Sequence, residues 1–466
     1  MTPLERTALG LERLLGPSTA VTDPALCEGY ARDESETDTV TPACVVRARS
    51  ADDVRATLRL ANAHDTPVFA RGAGTGRTGG AAVTEPGVVI DTTAMNQVVA
   101  LSRTEQRVIV EPGLVTAALQ ALVEAEGLFF PPDPQSAAWS TLGGNVAENA
   151  AGPRAYKYGP TRNYVLGLDA VSGDGTLVSH GRMTRKGVTG YDTTALLVGS
   201  EGTLAVFTRL TLALTALRPA VTGLWALFGH THDAARAVTA LTARGLDVRC
   251  IEFFDGHCCR VIDRADPALG WARTEAALVI ECDGGDPEAV ARTREAVGAL
   301  CVEHRAREVL VAESVDEREA LWAVRKTMSR ALRALRRFKL SEDVVVPVGA
   351  LEALLDAVAE IAAREGLTMP TYGHAGDGNL HVNLLWDDPA ERPAVERAVA
   401  SLFRATLDLG GTLSGEHGVG VLKAPFLGWE QGDALIALQR GLKAVFDPRG
   451  VLNPGKIFAR PSHRGC

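Results

Sequence analysis

Three histidines and one glutamate lie in glycine-flanked stretches near the C-terminal end of the chain. The stretches read Gly373-His-Ala-Gly-Asp-Gly-Asn-Leu-His-Val-Asn383 and Ser414-Gly-Glu-His-Gly418. From Asn379, polar residues alternate with apolar ones, which predicts a strand with His381 and Asn383 on one face. Two imidazoles and one carboxylate are a common ligand set for Zn²⁺, Mn²⁺ or Fe²⁺. The alternative is that these are loop and core histidines with ordinary hydrogen bonds.

Three glycine-rich stretches in the first half of the chain suit a large phosphate-bearing ligand. They are Arg71-Gly-Ala-Gly-Thr-Gly-Arg-Thr-Gly-Gly80, a second stretch made up of Pro132-Asp133-Pro134, residues 140–152 with Gly143-Gly144-Asn145 and residues 157–162, and Gly199-Ser-Glu-Gly-Thr-Leu204. Glycines allow backbone N–H groups to approach a phosphate closely. The first stretch matches neither the dinucleotide fingerprint nor a P-loop, and a strand is expected after it. A plain glycine-rich hairpin loop is the alternative.

A helix predicted at about 316–338 carries Arg325 and Ser329 on one flank, four residues apart. Lys339 follows it, before Leu340-Ser-Glu-Asp-Val-Val-Val-Pro347. Most cations on this helix are expected to be solvated, and an ordinary surface ion pair is the alternative to a functional role for Arg325 and for Lys339. A planar guanidinium can bind a carboxylate through two parallel hydrogen bonds.

Strands and helices alternate in the first half, and the composition changes near residues 217–219. The segments that follow are strand 221–229, helix 233–244, strand 248–254, strand 275–282, helix 286–304 and strand 307–312. This βαββαβ order predicts a ferredoxin-like antiparallel sheet with helices on one face. The chain is therefore assigned to the α+β class, with domains at 1–217 and 218–410 and a C-terminal segment at 411–466.

Composition narrows the classes of function. The 466 residues have a net charge of −9 and a pI of about 5.7, which argues against nucleic acid or an anionic membrane as the main partner. No stretch is apolar enough to span a bilayer, and the N-terminus lacks the pattern of a secretion signal. A cytoplasmic protein is expected. The eight cysteines include no C-x-x-C pair and are expected to be reduced thiols.

These motifs, in this order and spacing, resemble the vanillyl-alcohol oxidase / p-cresol methylhydroxylase superfamily. Within it they are most similar to the branch of glycolate oxidase flavin subunits, D-lactate dehydrogenases and D-2-hydroxyglutarate dehydrogenases. The resemblance runs from about residue 20 to 458. It implies a bipartite FAD-binding domain with a ferredoxin-like cap domain that binds substrate, and a C-terminal segment that returns to the flavin.

The resemblance also implies which residues bind FAD. The pyrophosphate loop would comprise Arg71, Gly72, Gly74, Thr75, Gly76, Gly79 and Gly80. The flavin would be lined by Asp133, Gly143, Gly144, Asn145, Asn149, Gly152, Tyr158 and Gly159, with Glu201 and Gly202 near the adenosine and Asn453 near the ring. Ala81 stands where some relatives attach the flavin to a histidine, so FAD is expected to be non-covalent. Arg77 and Ala151 depart from the usual Leu and Gly.

For the second site, the resemblance implies that His374, His381 and Glu416 bind the metal, most simply zinc, with manganese or iron as alternatives. His417 would be the catalytic base. Arg325, with Ser329, Lys339 and Asn383, would bind the substrate. Relatives commonly have an arginine soon after the proline that corresponds to Pro347. In this chain Val348-Gly349-Ala350 follows Pro347 instead.

The function expected is FAD-dependent, metal-assisted dehydrogenation of a small D-2-hydroxy acid, of the D-lactate or glycolate type, to the 2-oxo acid. D-2-hydroxyglutarate is the alternative substrate, because Lys339 leaves room for a second carboxylate. A second hypothesis is a non-redox flavoprotein alkyl transferase, but the set His374, His381 and Glu416 argues against it. A third hypothesis is a non-catalytic flavin subunit of a larger complex. The electron acceptor stays open among a quinone, an electron-transfer protein and a cytochrome. Membrane association through that acceptor and a homodimer also stay open.

Overall fold

A computed structural model describes residues 1–265, 267–312 and 314–459. The chain divides into two compact units. The first unit contains residues 1–151, 160–217 and the part of the chain from Glu416 onward, and the second contains 152–159 and 218–415. Each unit therefore includes sequence from separate parts of the chain.

A four-stranded sheet in the first unit positions the first glycine-rich stretch. Its strands occur in the order β1-β2-β4-β3, with β2, β4 and β3 parallel and β1 antiparallel. Their bounds are β1 Ala20–Val21, β2 Cys44–Arg47, β3 Val68–Arg71 and β4 Val88–Asp91. The strands β2 and β4 are almost entirely buried and apolar, as expected where both faces of a parallel sheet are covered. The glycine-rich stretch begins where β3 ends.

The first unit also has a five-stranded antiparallel sheet in the order β5-β6-β10-β8-β9 and a two-stranded sheet of β7 and β11. Their bounds are β5 Val98–Ser102, β6 Arg107–Val110, β7 Leu128–Phe129, β8 Val165–Ser172, β9 Leu177–Gly181, β10 Ala205–Ala213 and β11 Thr215–Ala216. The hydrophobic core around the parallel sheet includes Val54 and Leu58 from α3 (Ala51–Ala63). The predicted cap of that helix is observed, since Ser50 accepts a hydrogen bond from the N–H of Asp53.

The other helices of the first unit lie in its N-terminal, middle and C-terminal parts. Their bounds are α1 Pro3–Leu15, α2 Pro24–Cys27, α4 Thr116–Ala125, α5 Leu142–Glu148, α7 Thr193–Leu197, α14 Leu427–Glu430 and α15 Asp433–Phe446. In the described part of the chain, no helix is both long enough and apolar enough to cross a bilayer.

The second unit is built on a seven-stranded antiparallel sheet in the order β15-β12-β14-β13-β17-β18-β16. The bounds are β12 Ala220–Phe228, β13 Val248–Asp255, β14 Ala276–Gly284, β15 Ala306–Ala312, β16 Phe338–Val345, β17 Thr371–His374 and β18 Asn379–Trp386. The first four strands along the chain have the ferredoxin-like order four-one-three-two, as predicted. The sheet then continues through β17, β18 and β16, an extension that the sequence did not predict.

The helices of the second unit are α6 Ala155–Tyr158, α8 Thr231–Arg244, α9 Gly256–Ala265, α10 Pro287–Glu303, α11 Val315–Arg333, α12 Leu351–Glu365 and α13 Arg392–Asp408. The prediction of a helix reaching residue 338 is wrong, because α11 ends at Arg333 and Phe338 begins β16. Pairing of β16 with β18 over eight register positions outweighs the helical tendency of this stretch.

The α+β class is confirmed. The seven described cysteines are all buried, and Cys466 lies outside the described residues.

Candidate functional site

The first glycine-rich stretch wraps around the side chain of Arg71, the last residue of β3. Arg71 Nη1 donates to the carbonyl oxygen of Arg32 over 2.6 Å, and burial lowers the pKa of Arg71. Gly74 has a φ of +71°, and the place where its Cβ would stand is occupied by the Arg71 guanidinium. Gly79, with a φ of +86°, would place a Cβ 2.6 Å from Thr37 Oγ1. A side chain larger than glycine at position 74 or 79 would therefore disrupt the loop. The same loop contains Gly72, Thr75, Gly76 and Gly80.

The second stretch lies against the first within the same unit. Thr141 caps α5, and its hydroxyl fills the position that a Cβ on Gly72 would need. Gly143 and Gly144 form the first turn of α5, and the Asn145 side chain donates to Thr116 Oγ1 over 2.7 Å. The structure therefore brings together two predicted FAD-binding stretches that are 70 residues apart. Asp133 lies in the segment that follows β7.

Asn149 ends α5 in the left-handed region, with a φ of 55°. Its side-chain oxygen accepts from the N–H of Arg162 over 2.9 Å, which ties α5 to the stretch after residue 160. The neighbouring glutamate, Glu148, was not singled out from the sequence. Burial raises the pKa of Glu148 well above its usual value, Glu201 and Asp33 raise it further, and Lys456 opposes the shift.

The third stretch meets the C-terminal segment. The carboxylate of Glu201 accepts the backbone N–H groups of Val419 and Gly420, each over 2.7 Å. Asn453 donates to the carbonyl oxygen of Glu201 over 2.6 Å and accepts from the N–H of Ala70 over 3.2 Å. Gly202 is required here, because its Cβ would lie 2.7 Å from Asn453 Nδ2. Both Glu201 and Asn453 therefore hold backbone in place around the predicted cofactor loops.

These contacts fix the turn that contains His417. The Thr78 hydroxyl donates to the carbonyl oxygen of His417 over 3.0 Å, and the N–H groups of the residues just after Gly418 bind Glu201. Lys456, another residue missed at the sequence level, donates to the carbonyl oxygens of Gly79 and Ala82. The Asn453-Pro-Gly-Lys456 motif was the signal that could have identified it. The backbone of the predicted base is thus anchored within the first unit.

One face of the seven-stranded sheet in the second unit carries most of the remaining candidates. Residues directly opposite in neighbouring strands share a face, and the register pairs Glu252 with His374, Tyr372 with His381, and His381 with Asp343. Alternation along β16 and β18 adds Lys339 and Asn383 to the same face. All of these side chains except Tyr372 are polar, and each is at least 93 % buried. Such a concentration of buried polar groups marks a functional site more often than a core.

The two predicted metal-binding histidines lie side by side on this face. Their ring centroids are 5.2 Å apart and their planes are nearly perpendicular, at 86°. His374 Nδ1 is bound to the carboxylate of Glu252, and His381 Nδ1 lies 3.5 Å from Asp343 Oδ1. For His374, the carboxylate at Nδ1 leaves Nε2 as the atom that can bind a metal, which is the usual arrangement behind metal-binding histidines. The donor set therefore fits a divalent cation.

Arg325 lies on α11 and is only 3 % exposed. Its Nε donates to Glu252, and its guanidinium lies 4.8 Å from the centre of the Tyr372 ring. Burial alone would raise the pKa of Glu252, but His374 and Arg325 lower it to about 2. Glu252 is thus an anion that contacts one predicted metal ligand and the predicted substrate-binding arginine. It was missed because a lone acid in an apolar strand carries no recognisable spacing.

Ser329 and Lys339, both predicted to bind substrate, are brought together. Lys339 Nζ donates to Ser329 Oγ over 3.0 Å, and Lys339 is 94 % buried. Asn383 is fully buried; its Nδ2 donates to the carbonyl oxygens of Pro370 and His381. Its Oδ1 has no hydrogen-bond partner among the described residues. This acceptor is suited to a hydroxyl or ammonium group of a ligand, because a buried carbonyl without a partner is costly.

Asp343 holds the chain just before the remaining predicted ligand. Its carboxylate accepts from Asn379 Nδ2 over 2.6 Å and from the N–H of Gly415 over 2.9 Å. Glu416 is the next residue in the sequence and begins the C-terminal part of the first unit. No spacing pattern in the sequence marks Asp343 as a functional residue.

Three residues predicted to line the flavin, Gly152, Tyr158 and Gly159, belong to the second unit. The Tyr158 hydroxyl donates to Asp283 Oδ2 over 2.6 Å, and Lys157 binds the same carboxylate over 2.7 Å. Burial and this carboxylate raise the pKa of Tyr158. The hydroxyl of Tyr158 is therefore engaged within the second unit.

Comparisons with protein families match nearly the whole chain. A model described as an FAD binding domain matches residues 42–181, and one described as the C-terminal domain of FAD linked oxidases matches residues 218–457. The second match alone covers more than half of the sequence.

Several relatives are similar to this chain over most of their length. Glycolate oxidase subunit GlcD of Bacillus subtilis is 38 % identical, over 91 % of this chain and 90 % of the relative. D-2-hydroxyglutarate dehydrogenase of Stutzerimonas stutzeri is 32 % identical, over 96 % and 98 %. D-lactate dehydrogenase of Anaerostipes hadrus is 32 % identical, over 89 % of each chain.

Solved structures share the fold at lower identity. p-Cresol methylhydroxylase with substrate bound superposes with a TM-score of 0.80 at 14 % identity, covering 98 % of this chain and 97 % of the other. An alkyldihydroxyacetonephosphate synthase gives a TM-score of 0.76 at 18 % identity, covering 96 % and 85 %. At these identities the likeness establishes the fold alone.

Proposed function

Because the chain belongs to the FAD-linked oxidase family, we propose that it oxidises a small D-2-hydroxy acid to the 2-oxo acid with the help of a divalent metal. FAD is the cofactor of this family's binding domain. The single observation that carries the proposal is the shared carboxylate of Glu252, which contacts His374 on one side and Arg325 on the other. A metal-binding imidazole and a carboxylate-binding guanidinium are thus fixed beside each other.

The substrate class follows from what these groups recognise together. Arg325 presents a planar fork that fits a carboxylate. Asn383 Oδ1, which is buried and has no hydrogen-bond partner among the described residues, fits the hydroxyl hydrogen of the bound substrate before His417 accepts that proton. Glycolate, D-lactate and D-2-hydroxyglutarate, named in the relatives' activities, all carry a hydroxyl next to a carboxylate. An α-hydroxy acid therefore satisfies both groups.

His374 and His381 are proposed to hold the metal through Nε2, with Glu416 as the third ligand. A divalent metal bound there would act as a Lewis acid that lowers the pKa of the substrate hydroxyl. Zinc is the first choice for two imidazoles and one carboxylate, and manganese or iron are alternatives.

His417 is proposed to accept the proton of the substrate hydroxyl. It adjoins Glu416 in sequence, and its backbone is fixed by Thr78. Imidazole has a pKa near neutrality, which suits a base that must alternate between two protonation states. FAD supplies the acceptor for the hydride that leaves Cα. Proton and hydride together account for the two-electron oxidation.

FAD is proposed to lie on the glycine-rich stretches of the first unit. Arg71 and the loop up to Gly80 would contact the pyrophosphate through backbone N–H groups. The bond to FAD is proposed to be non-covalent, because Ala81 offers no nucleophile; its N–H binds Asp33 instead. Electrons would leave to a quinone, an electron-transfer protein or a cytochrome.

D-Lactate and glycolate are preferred over D-2-hydroxyglutarate as substrates. Lys339, the cation that would bind a second carboxylate, is buried and already donates to Ser329. Because an ammonium group carries three N–H donors, this contact does not exclude a second carboxylate, and D-2-hydroxyglutarate stays the alternative substrate.

The proposal is tested by assaying the purified, metal-supplemented chain with an artificial dye acceptor. Dye reduction that requires a D-2-hydroxy acid, with the 2-oxo acid formed in equal amount, is expected. A chain that binds FAD but reduces no dye with any 2-hydroxy acid would instead be a non-catalytic flavin subunit. Alkyl exchange without dye reduction would identify a transferase.

A further inference from the structure

The buried carboxylate of Glu252 is neither a metal ligand nor a base in the proposed function, yet it contacts one residue proposed to bind the metal and one proposed to bind the substrate. It lies in β13, directly opposite His374 in the register with β17. One oxygen binds His374 Nδ1, and the other binds Arg325 Nε on α11. Its side chain is fully buried, as is most of β13. No water is needed to complete these two contacts.

We propose that Glu252 is a positioning residue that sets the tautomer of His374 for metal binding and, with the same carboxylate, aims Arg325 at the substrate. The inference rests on the proposed function, since it concerns the same site. Beyond that function, we infer that the Glu252 side chain couples metal binding by His374 to substrate binding by Arg325.

The hydrogen-bond inventory supports this coupling. An ionised carboxylate can only accept, so it accepts the N–H of Arg325 Nε and leaves His374 as a donor through Nδ1. A neutral imidazole with its proton on Nδ1 presents a lone pair on Nε2, the atom that a metal requires. The same contact leaves the Nη side of the guanidinium as the edge for a substrate carboxylate, while the Tyr372 ring supports its face.

Replacing Glu252 with glutamine keeps the size and shape of the side chain but removes one of its two hydrogen-bond acceptors. In Glu252→Gln the amide has one accepting and one donating end. If the oxygen faces Arg325, the amide N–H faces His374 Nδ1 and moves the imidazole proton to Nε2, which blocks the metal. If the amide is turned, its N–H opposes Arg325 Nε, so the guanidinium must move. Either orientation disturbs one of the two groups.

A matched control is available on the neighbouring strand. Glu281 of β14 is also buried, accepts from Trp322 Nε1 over 2.6 Å and lies 3.7 Å from Arg318 Nε, both on α11. Glu281→Gln therefore removes a buried acid that holds the same helix without touching a histidine. It measures the general effect of loosening α11.

The experiment measures zinc affinity of the metal-depleted, FAD-bound protein by competition with a chromogenic chelator, and KM for the hydroxy acid after metal is restored. For Glu252→Gln we expect zinc to bind roughly 10- to 100-fold more weakly, the usual cost of losing such a partner, or KM to rise by a similar factor. Glu281→Gln should keep the wild-type value of both, even if its melting temperature falls.

Glu252→Asp covers the case in which the glutamine variant does not fold. Its carboxylate is one methylene shorter and cannot reach both partners, so zinc affinity or KM should change in the same direction. Folded Glu252 variants with wild-type zinc affinity and KM would overturn this inference alone. Wild-type protein that binds none of zinc, manganese and iron would overturn it together with the metal-assisted function. Equal losses in Glu281→Gln would also overturn it, because the effect would then be structural.

Discussion

The ammonium group of Lys456 donates a hydrogen bond to the carbonyl oxygen of Gly79, although 377 positions separate the two residues in sequence. It also binds the carbonyl oxygen of Ala82 and is 99 % buried. The C-terminal segment thereby holds the end of the glycine-rich stretch proposed to bind the FAD pyrophosphate.

Lys456→Met should weaken FAD binding and lower stability. The change leaves two buried carbonyl oxygens without their donor, which costs roughly 1–3 kcal/mol for each such group. Titration of the apoprotein with FAD should give a higher Kd, and thermal unfolding a lower melting temperature. Lys186→Met, at an exposed position, is the control. Wild-type FAD affinity in Lys456→Met would show that this contact does not support the loop.

The same lysine predicts a dependence of stability on pH. Burial lowers the pKa of Lys456 from 10.5 to about 8, so the folded protein releases this proton at lower pH than the unfolded chain does. Between about pH 8 and 10.5 the unfolded state therefore binds more protons, and the contribution of Lys456 to stability rises with pH. The free energy of unfolding of wild type minus that of Lys456→Met should increase across this window in denaturant titrations. A difference that falls or stays flat would contradict the assignment.

Arg325→Lys should raise KM for the hydroxy acid by roughly 10- to 100-fold, since a hydrogen bond to a charged group contributes about 1.5–3 kcal/mol. A lysine is a point charge and cannot replace the planar fork. The flavin spectrum should be unchanged. The control is Arg330→Lys, on the exposed side of the same helix. If both variants keep the wild-type KM, Arg325 does not bind the substrate carboxylate.

His381→Ala should lose the metal and most turnover but keep the yellow flavin. His381 belongs to the second unit, whereas the stretch of residues 71–80 that is proposed to bind the FAD pyrophosphate belongs to the first. Metal analysis and the flavin absorbance of the purified variant test this, with the exposed His257→Ala as control. Stoichiometric metal in His381→Ala, or an active wild-type protein without metal, would exclude the proposed ligand set.

Sequence patterns predicted the local parts of this architecture well. Alternation from Asn379 identified β18, and Ser50 identified the start of α3, because both signals are contained in a few neighbouring residues. The family resemblance predicted the FAD-linked oxidase fold, which the comparisons confirm.

The features that the sequence did not predict depend on contacts between residues far apart in the chain. The strand at Phe338 exists because β18 pairs with it, and the cations around Arg336 and Arg337 disguised its start. Glu252 and Lys456 were missed for the same reason: each acquires its role from partners more than 70 residues away in sequence. The positions of Arg325, Ser329 and Lys339 could be predicted only through the resemblance.

The proposed base is tested by His417→Asn. This variant should retain metal and FAD but reduce the flavin at least roughly a hundredfold more slowly with substrate, within the usual range for general-base catalysis. Single-turnover kinetics isolate this step from reoxidation. Near-normal flavin reduction would remove His417 from the proposed chemistry.

The central claim is tested most directly by anaerobic stopped-flow reduction of the bound flavin with both lactate enantiomers, glycolate and both 2-hydroxyglutarates. We predict rapid bleaching with D-lactate or glycolate, slower bleaching with D-2-hydroxyglutarate, and little with the L enantiomers, because a substrate held at three points can aim only one Cα hydrogen at the flavin. Removing the metal with a chelator should abolish bleaching of the flavin, and adding the metal back should restore the bleaching. Equal rates for the two hands, or reduction only by compounds without an α-hydroxy carboxylate, would contradict the account.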